Sequence, residues 1–96
     1  MDKQKLQSYL GFALRAGLCA KGSKAVLLNI RNQKADVVLL DRDAAYNTKK
    51  QIANACHTYN VRLIEVDEDL LFHVTKQNFK TLAIKASPLS EQIKQL

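Results

Sequence analysis

Along the first sixteen residues the apolar positions recur with the period of a helix. Leu6, Leu10, Ala13 and Leu14 lie three or four residues apart or adjacent on one side, with Tyr9 and Phe12 flanking, so residues 3–16 read as an amphipathic helix. Gly17 follows and suits the left-handed turn that closes many helices. Leu18-Cys19-Ala20 is apolar but too short for a helix, and reads as a short strand. Gly22-Ser23 then opens a second helix. Ser23 is placed to accept a hydrogen bond from a free first-turn amide, and Val26, Leu27 and Ile30 form the apolar stripe.

The pattern changes at Val37-Val38-Leu39-Leu40. This run is continuous, β-branched at its start and bounded by acids, as expected of a strand buried on both faces. Asn47 or Thr48 can cap a third helix whose Ile52, Ala55, Cys56 and Tyr59 share a side. Val61 to Val66 is a second central strand, interrupted by Arg62 and Glu65. Asp67-Glu68-Asp69 puts acids where a short fourth helix starts, and a helix dipole favours them there; that helix holds Leu70, Leu71 and Val74. Thr75 to Asn78 reads as a polar loop and Phe79 to Lys85 as a last strand. Ser87-Pro88 is an N-cap followed by a first-turn proline, so a final helix runs to the end with Leu89, Ile93 and Leu96 inward. Helices alternate with short strands, without repeat, low-complexity segment or linker. The prediction is one α/β domain over residues 1–96, a three-layer α/β/α sandwich.

Composition narrows the function. Apolar residues make up 47% of the 96, an ordinary globular fraction. No segment reads as a signal peptide or a membrane span, which points to a cytoplasmic protein. Cys19 and Cys56 are too few for a disulfide framework and read as small buried hydrophobes. The formal charge is +6, and it is uneven: residues 1–50 carry ten Lys/Arg against four Asp/Glu, while residues 51–96 carry five of each. Such an imbalance points to a polyanionic partner, most simply a nucleic acid. The cations are spread over several elements and Trp is absent, which argues against a basic membrane-surface helix.

Catalytic patterns are missing. The chain has neither a Walker-type phosphate loop nor a G-x-G-x-x-G turn, and only three glycines. Cys56-His57 is the one adjacent pair among the Cys and His residues, with Cys19 and His73 far off, so neither a metal nor a cofactor is expected. Cys19 sits in an apolar run and reads as packing. Asp41 and Asp43 lie at the C-terminal end of a buried strand, where ligands often bind in α/β folds, but serve equally well as turn residues. The informative stretch is Lys21-Gly22-Ser23-Lys24. A glycine before a helix lets another backbone come close, the first-turn amides favour anionic oxygens, and two lysines flank the spot. Lys49-Lys50 opens another helix, where positive charge opposes the dipole and so has some purpose other than helix stability.

The order of motifs resembles that of a small bacterial family, YlxQ/YbxF-like, within the superfamily of kink-turn-binding ribosomal proteins (the L-seven-Ae and L-thirty-e proteins of archaea and eukaryotes). Leu10 to Gly17 resembles its L-G-L-A-x-R-A-G opening, and Gly22 through Ile30-Arg31 its G-x-x-x-V-x-x-x-I-R helix. Ala35 to Leu40, Asp43-Ala44 and Asn47 to Lys50 resemble its A-x-L-V-L-L-A-x-D-A-x-x-N-T-K-K, and Tyr59-Asn60-Val61 its step into the third strand. The resemblance spans roughly residues 4–86. It implies a three-layer fold on a four-stranded mixed sheet, RNA binding at one end of the sandwich, and no catalysis. In kink-turn binders of the superfamily the glycine-led helix start enters the RNA groove. An Asn-Glu pair there reads sheared G·A pairs, a lysine one turn later supports it, and the loop before the last strand packs against an extruded base.

At those positions this chain has Lys24, Ala25 and Leu28, and the loop's glycines are replaced within Leu70 to Thr75. Ala25 cannot accept from a guanine edge, and Lys24 can donate but cannot reproduce an asparagine. Gly22 and Asp43 are kept, and Val74 and Thr75 keep some apolar character. The expected partner is a structured RNA, ribosomal or kink-turn-like, rather than DNA or a membrane, held by shape and phosphate more than by base readout. The expected site comprises Lys21, Gly22, Ser23, Lys24, Leu28, Arg42, Asp43, Lys49, Val74, Thr75 and Lys76. The alternative is a protein-interaction module that kept the fold and lost RNA; it requires an exposed apolar patch.

Overall fold

The computed structural model describes residues 1–96 and resolves nine elements. They are α1 (Lys3–Arg15), β1 (Cys19–Lys21), α2 (Ser23–Arg31), β2 (Ala35–Asp41), α3 (Tyr46–Thr58), β3 (Arg62–Val66), α4 (Leu70–Thr75), β4 (Thr81–Lys85) and α5 (Pro88–Lys94). The four strands form one mixed sheet in the order β1-β4-β2-β3. β2 and β3 are parallel and joined through α3, while β4 runs antiparallel to both β1 and β2. Leu39 lies opposite Ile64 on one side and Leu82 on the other, so the apolar run of β2 is central, as its lack of alternation predicts.

Successive strand residues point to opposite faces, and each face has its own core. Val37, Leu39, Ile64, Val66, Leu82 and Ile84 meet Leu6, Leu10 and Ala13 of α1, Leu70 and Leu71 of α4, and Ile93 of α5. Val38, Leu40, Ala83 and Ala20 meet Val26 and Ile30 of α2 and Ile52 and Cys56 of α3. This is the three-layer sandwich. Each fully buried Leu or Ile contributes about 1.5–3 kcal/mol by leaving water. Cys19 packs on the first core and Cys56 sits in the second, on opposite sides of the sheet. Burial pushes both thiols up to about 11, with Lys21 partly offsetting the rise at Cys19. No helix is long and apolar enough to cross a membrane.

Helix ends follow one local rule. After α1, α2 and α3 a residue turns left-handed: Gly17 (φ +72°), Gln33 (+58°) and Asn60 (+55°). In each case two amides then reach back: Gly17 to Leu14 O and Leu18 to Ala13 O, Gln33 to Ile30 O and Lys34 to Asn29 O, Asn60 to His57 O and Val61 to Cys56 O. These bonds satisfy the last carbonyls of each helix. The start of α5 is the predicted one. Ser90 N–H donates to Ser87 Oγ and Ser87 N–H donates to Ser90 Oγ, with Pro88 in the first turn.

Other boundaries differ from expectation. Ser23 is the first residue of α2 and caps nothing; the cap position belongs to Gly22, whose N–H donates to Thr81 O at 3.1 Å and so ties the chain to β4. α3 starts at Tyr46 after Ala45, with Asn47 and Thr48 inside its first turn, because Asp41 closes a tight turn first: Asp43 N–H donates to Asp41 Oδ1 and Ala44 N–H to Asp41 O. Asp67, Glu68 and Asp69 do not cap α4. Asp69 is left-handed and makes no side-chain cap bond, and Asp67 and Glu68 instead hold Lys3 at 3.2 and 2.9 Å. Thr75 closes α4 rather than opening a loop, and β4 begins at Thr81, not Phe79.

Candidate functional site

β1, β2 and β3 all end, and β4 begins, at one end of the sheet. α2 and α3 both start there and run back alongside each other. Their N-termini therefore open on the same surface.

At α2 the chain leaves β1 through Gly22 at φ +90°, ψ 158°, a conformation close to glycine-only. A Cβ on Gly22 would meet the ring of Phe79 at 3.4 Å, and Lys21 Nζ lies 5.8 Å from the centroid of that ring. Phe79 thus braces the Lys21–Gly22 step. Sequence reasoning missed it as a site residue and placed it in a strand. Its parity with Thr81 and Ala83, which puts it on the α2 side of the sheet, was the available signal. The first helical bond of α2 is Val26 N–H to Gly22 O, so the amides of Ser23, Lys24 and Ala25 have no protein acceptor. α3 repeats the arrangement: Lys49 N–H bonds Ala45 O, leaving Tyr46, Asn47 and Thr48. Neither first turn carries an acid. The uncapped amides and the two dipoles make this end attractive to anionic oxygen.

Lys21 and Lys24 are exposed beside Gly22 and Ser23, and neither forms an ion pair. Leu28 lies one turn further along α2 and is 59% exposed. Arg42, Asp43 and Lys49 form a braced turn between β2 and α3. Arg42 lies 3.7 Å from Glu65 and 3.6 Å from Asp67, Asp43 N–H donates to Asp41, and Lys49 Nζ donates to Arg42 O at 3.0 Å. Arg42 is thus partly committed to carboxylates, whereas Lys49 has none. Val74 packs against the α1–α4–α5 core. The Thr75 hydroxyl donates to Leu71 O at 2.8 Å and accepts from Gln77 N–H at 3.1 Å. Both are used within the fold, and the exposed apolar group of α4 is Phe72. Lys76 is left-handed at the C-cap of α4, on the path to β4. The structure therefore brings residues 21–24, 42–43, 49 and 76 to one end, sets Leu28 along the side of α2, and turns Val74 and Thr75 inward.

Residues 4–91 match the family model described as the Ribosomal protein L7Ae/L30e/S12e/Gadd45 family. The chain is 35% identical to the RNA-binding protein YlxQ of Enterococcus faecium over 65 residues, 68% of this chain and 63% of that protein. It is 40% identical to the RNA-binding protein YlxQ of Bacillus subtilis (strain 168) over 58 residues, 60% of this chain and 58% of that one. The matched segment thus spans about three-fifths of each relative's length. Among solved structures, a Bacillus halodurans protein of unknown function superposes with TM-score 0.87 at 26% identity, covering 95% of this chain and 94% of that one. The Giardia lamblia 15.5kD RNA binding protein shares the fold, with TM-score 0.77 at 14% identity over 94% of this chain and 82% of that one.

Proposed function

The chain belongs to the ribosomal protein L7Ae/L30e/S12e/Gadd45 family, and from that premise we propose that it is a non-catalytic RNA-binding protein. The observation that carries the reading is the start of α2. There, Gly22 delivers three unpartnered amides to the surface between Lys21 and Lys24. Amides and lysines of this kind hold phosphate oxygens and fix the register of a nucleic acid without reading its bases. Lys24 can donate to a guanine edge or a phosphate, and Ala25 contributes no acceptor. Recognition therefore rests on backbone shape and charge, and the partner is a structured RNA, ribosomal or kink-turn-like. Arg42, Asp43, Lys49 and Lys76 flank the same end and border the bound RNA, while Leu28 is its apolar neighbour along α2. The relatives named RNA-binding protein support the class of partner.

A protein-interaction role finds less support. Phe12, Leu28, Tyr46, Tyr59 and Phe72 are the large exposed apolar residues beyond Met1, and they are spread over α1 to α4 instead of forming one patch. The test is binding of the purified protein to a kink-turn RNA and to a plain duplex, each at two salt concentrations, with Lys24→Ala alongside. Both RNAs bind, affinity falls steeply with salt because phosphate contacts release counterions, and Lys24→Ala weakens both alike. Binding that is flat with salt, or no binding to either RNA, refutes the reading.

A further inference from the structure

The excess positive charge is concentrated in one layer. Residues 22–34 and 44–61, which hold α2, α3 and their flanking turns, carry Lys24, Arg31, Lys34, Lys49 and Lys50 and no Asp or Glu; the rest of the chain carries ten Lys/Arg against nine acids. None of those five cations forms an ion pair; of the ten elsewhere, Lys3, Arg42 and Lys94 do. Lys24, Leu28 and Arg31 follow one another on a single stripe of α2. Lys24 and Arg31 are two turns, about 10 Å, apart along the axis. Where α2 ends against α3 there is a shallow groove of about 300 Å³, lined by Arg31, Gln51, Asn54, Ala55, Thr58 and Tyr59. Tyr59, 40% exposed, stands between this groove and a second hollow bordered by Gln33 and Asn60.

We propose that this groove is a second RNA contact, and that a single strand leaving the start of α2 follows it. The inference rests on the RNA-binding reading above and extends it to the far end of the same layer. The surface suits a strand of RNA on three grounds. Its one charged lining residue, Arg31, is a cation without an ion pair, and the Asp36 carboxylate at the adjoining hollow is already held by Lys94 and Ser90. Its side-chain amides, Gln51 and Asn54, each offer both donors and an acceptor, and so accommodate any base edge. Tyr59 supplies a partly open ring on which a base can stack. Arg31 alone would be ambiguous, because a cation in the last turn also suits the helix dipole. Asn54 is an exposed residue well inside α3 and has no such role.

The test compares a kink-turn RNA hairpin with the same hairpin carrying a single-stranded tail of ten uridines, for the wild-type chain, Asn54→Asp, Arg31→Gln and Lys24→Ala. The tailed RNA binds the wild type at least about fivefold more tightly, the low end of what one stacked base contributes. Asn54→Asp and Arg31→Gln abolish that gain and leave the hairpin's own affinity within about twofold, whereas Lys24→Ala weakens both RNAs. A hairpin that binds in a salt-sensitive, Lys24-dependent way but gains nothing from the tail overturns the second contact alone. So does a loss in Asn54→Asp that is equal for both RNAs, since that is long-range repulsion and not contact. A hairpin that does not bind overturns the parent reading and this one with it.

Discussion

On the α1–α4–α5 side of the sheet, Lys3 reaches Asp67 and Glu68, and Lys94 reaches Asp36 and Glu91. On the α2–α3 side, Lys24, Arg31, Lys34, Lys49 and Lys50 have no carboxylate partner. The two cores beneath are alike in kind, each a set of alternating strand residues against helical Leu, Ile and Val. What separates the faces is the supply of acids: residues 22–34 and 44–61 carry none, so no cation there can be paired within its own layer. Exposed ion pairs contribute little to stability, about 0–1 kcal/mol each. Their larger effect is to cancel the field of the cations they engage. Leaving one face unpaired costs the fold little and keeps a net positive field over one layer, where a polyanion can be attracted and held.

The largest effects should fall on both faces equally. Ile52→Ala in the α2–α3 core and Leu71→Ala in the opposite core each remove a fully buried side chain, and each should lower unfolding free energy by about 2–5 kcal/mol in chemical denaturation. A large disparity between them would mean that the faces differ in packing as well as in charge. Gly22→Ala comes next. It forces a side chain into a near glycine-only backbone against Phe79, at a cost of about 1–3 kcal/mol, and should weaken RNA binding by displacing the start of α2. Circular dichroism melts and a binding titration on the same preparation separate the two losses.

The comparison itself is sharpened by paired lysines. Lys24→Ala should reduce the slope of log affinity against log salt by about 0.7–0.9. Lys3→Ala, which removes a cation already held by Asp67 and Glu68, should leave that slope unchanged. The smallest effect concerns pH. Burial alone would raise the Asp36 carboxyl, but hydrogen bonds from Ser90 and Lys94 and the charge of Lys94 outweigh it and hold it below the usual carboxylate value. A depressed carboxyl stabilises the fold above the unfolded pKa, about 3.9, and that contribution is lost as pH falls through the lower folded value. Asp36→Asn should therefore lower Tm at neutral pH, with the gap to wild type closing in acid.

Much of the architecture was legible because period carries it. Val37 to Leu40 as a central strand, the stripes of α1 and α2, and the Ser87-Pro88 start of α5 all followed from spacing and cap chemistry. What escaped depended on tertiary partners or on atypical residues. Gln33 and Asn60 close helices in the left-handed turn that glycine would have announced. Asp67 and Glu68 looked like part of a helix cap because their real partners, Lys3 and Arg42, are remote in sequence. Phe79 gained its place only once β4 and Gly22 were adjacent. Charge was the most instructive case. Counted by halves of the chain, the excess lay in residues 1–50; in the fold, the cations of α1 lie on the other side of the sheet, and the α2–α3 layer is the one whose cations have no Asp or Glu among them.

The most direct test follows every backbone amide by NMR while a kink-turn RNA is titrated into the protein. Shifts concentrated at residues 21–28, 42–49 and 76, with α1 and α5 undisturbed, are the predicted result, and they extend to Arg31 and residues 51–59 only when the RNA carries a single-stranded tail. Shifts centred on α1, α4 and α5, or none at any RNA concentration, would contradict the assignment of the α2–α3 layer as the RNA-binding face.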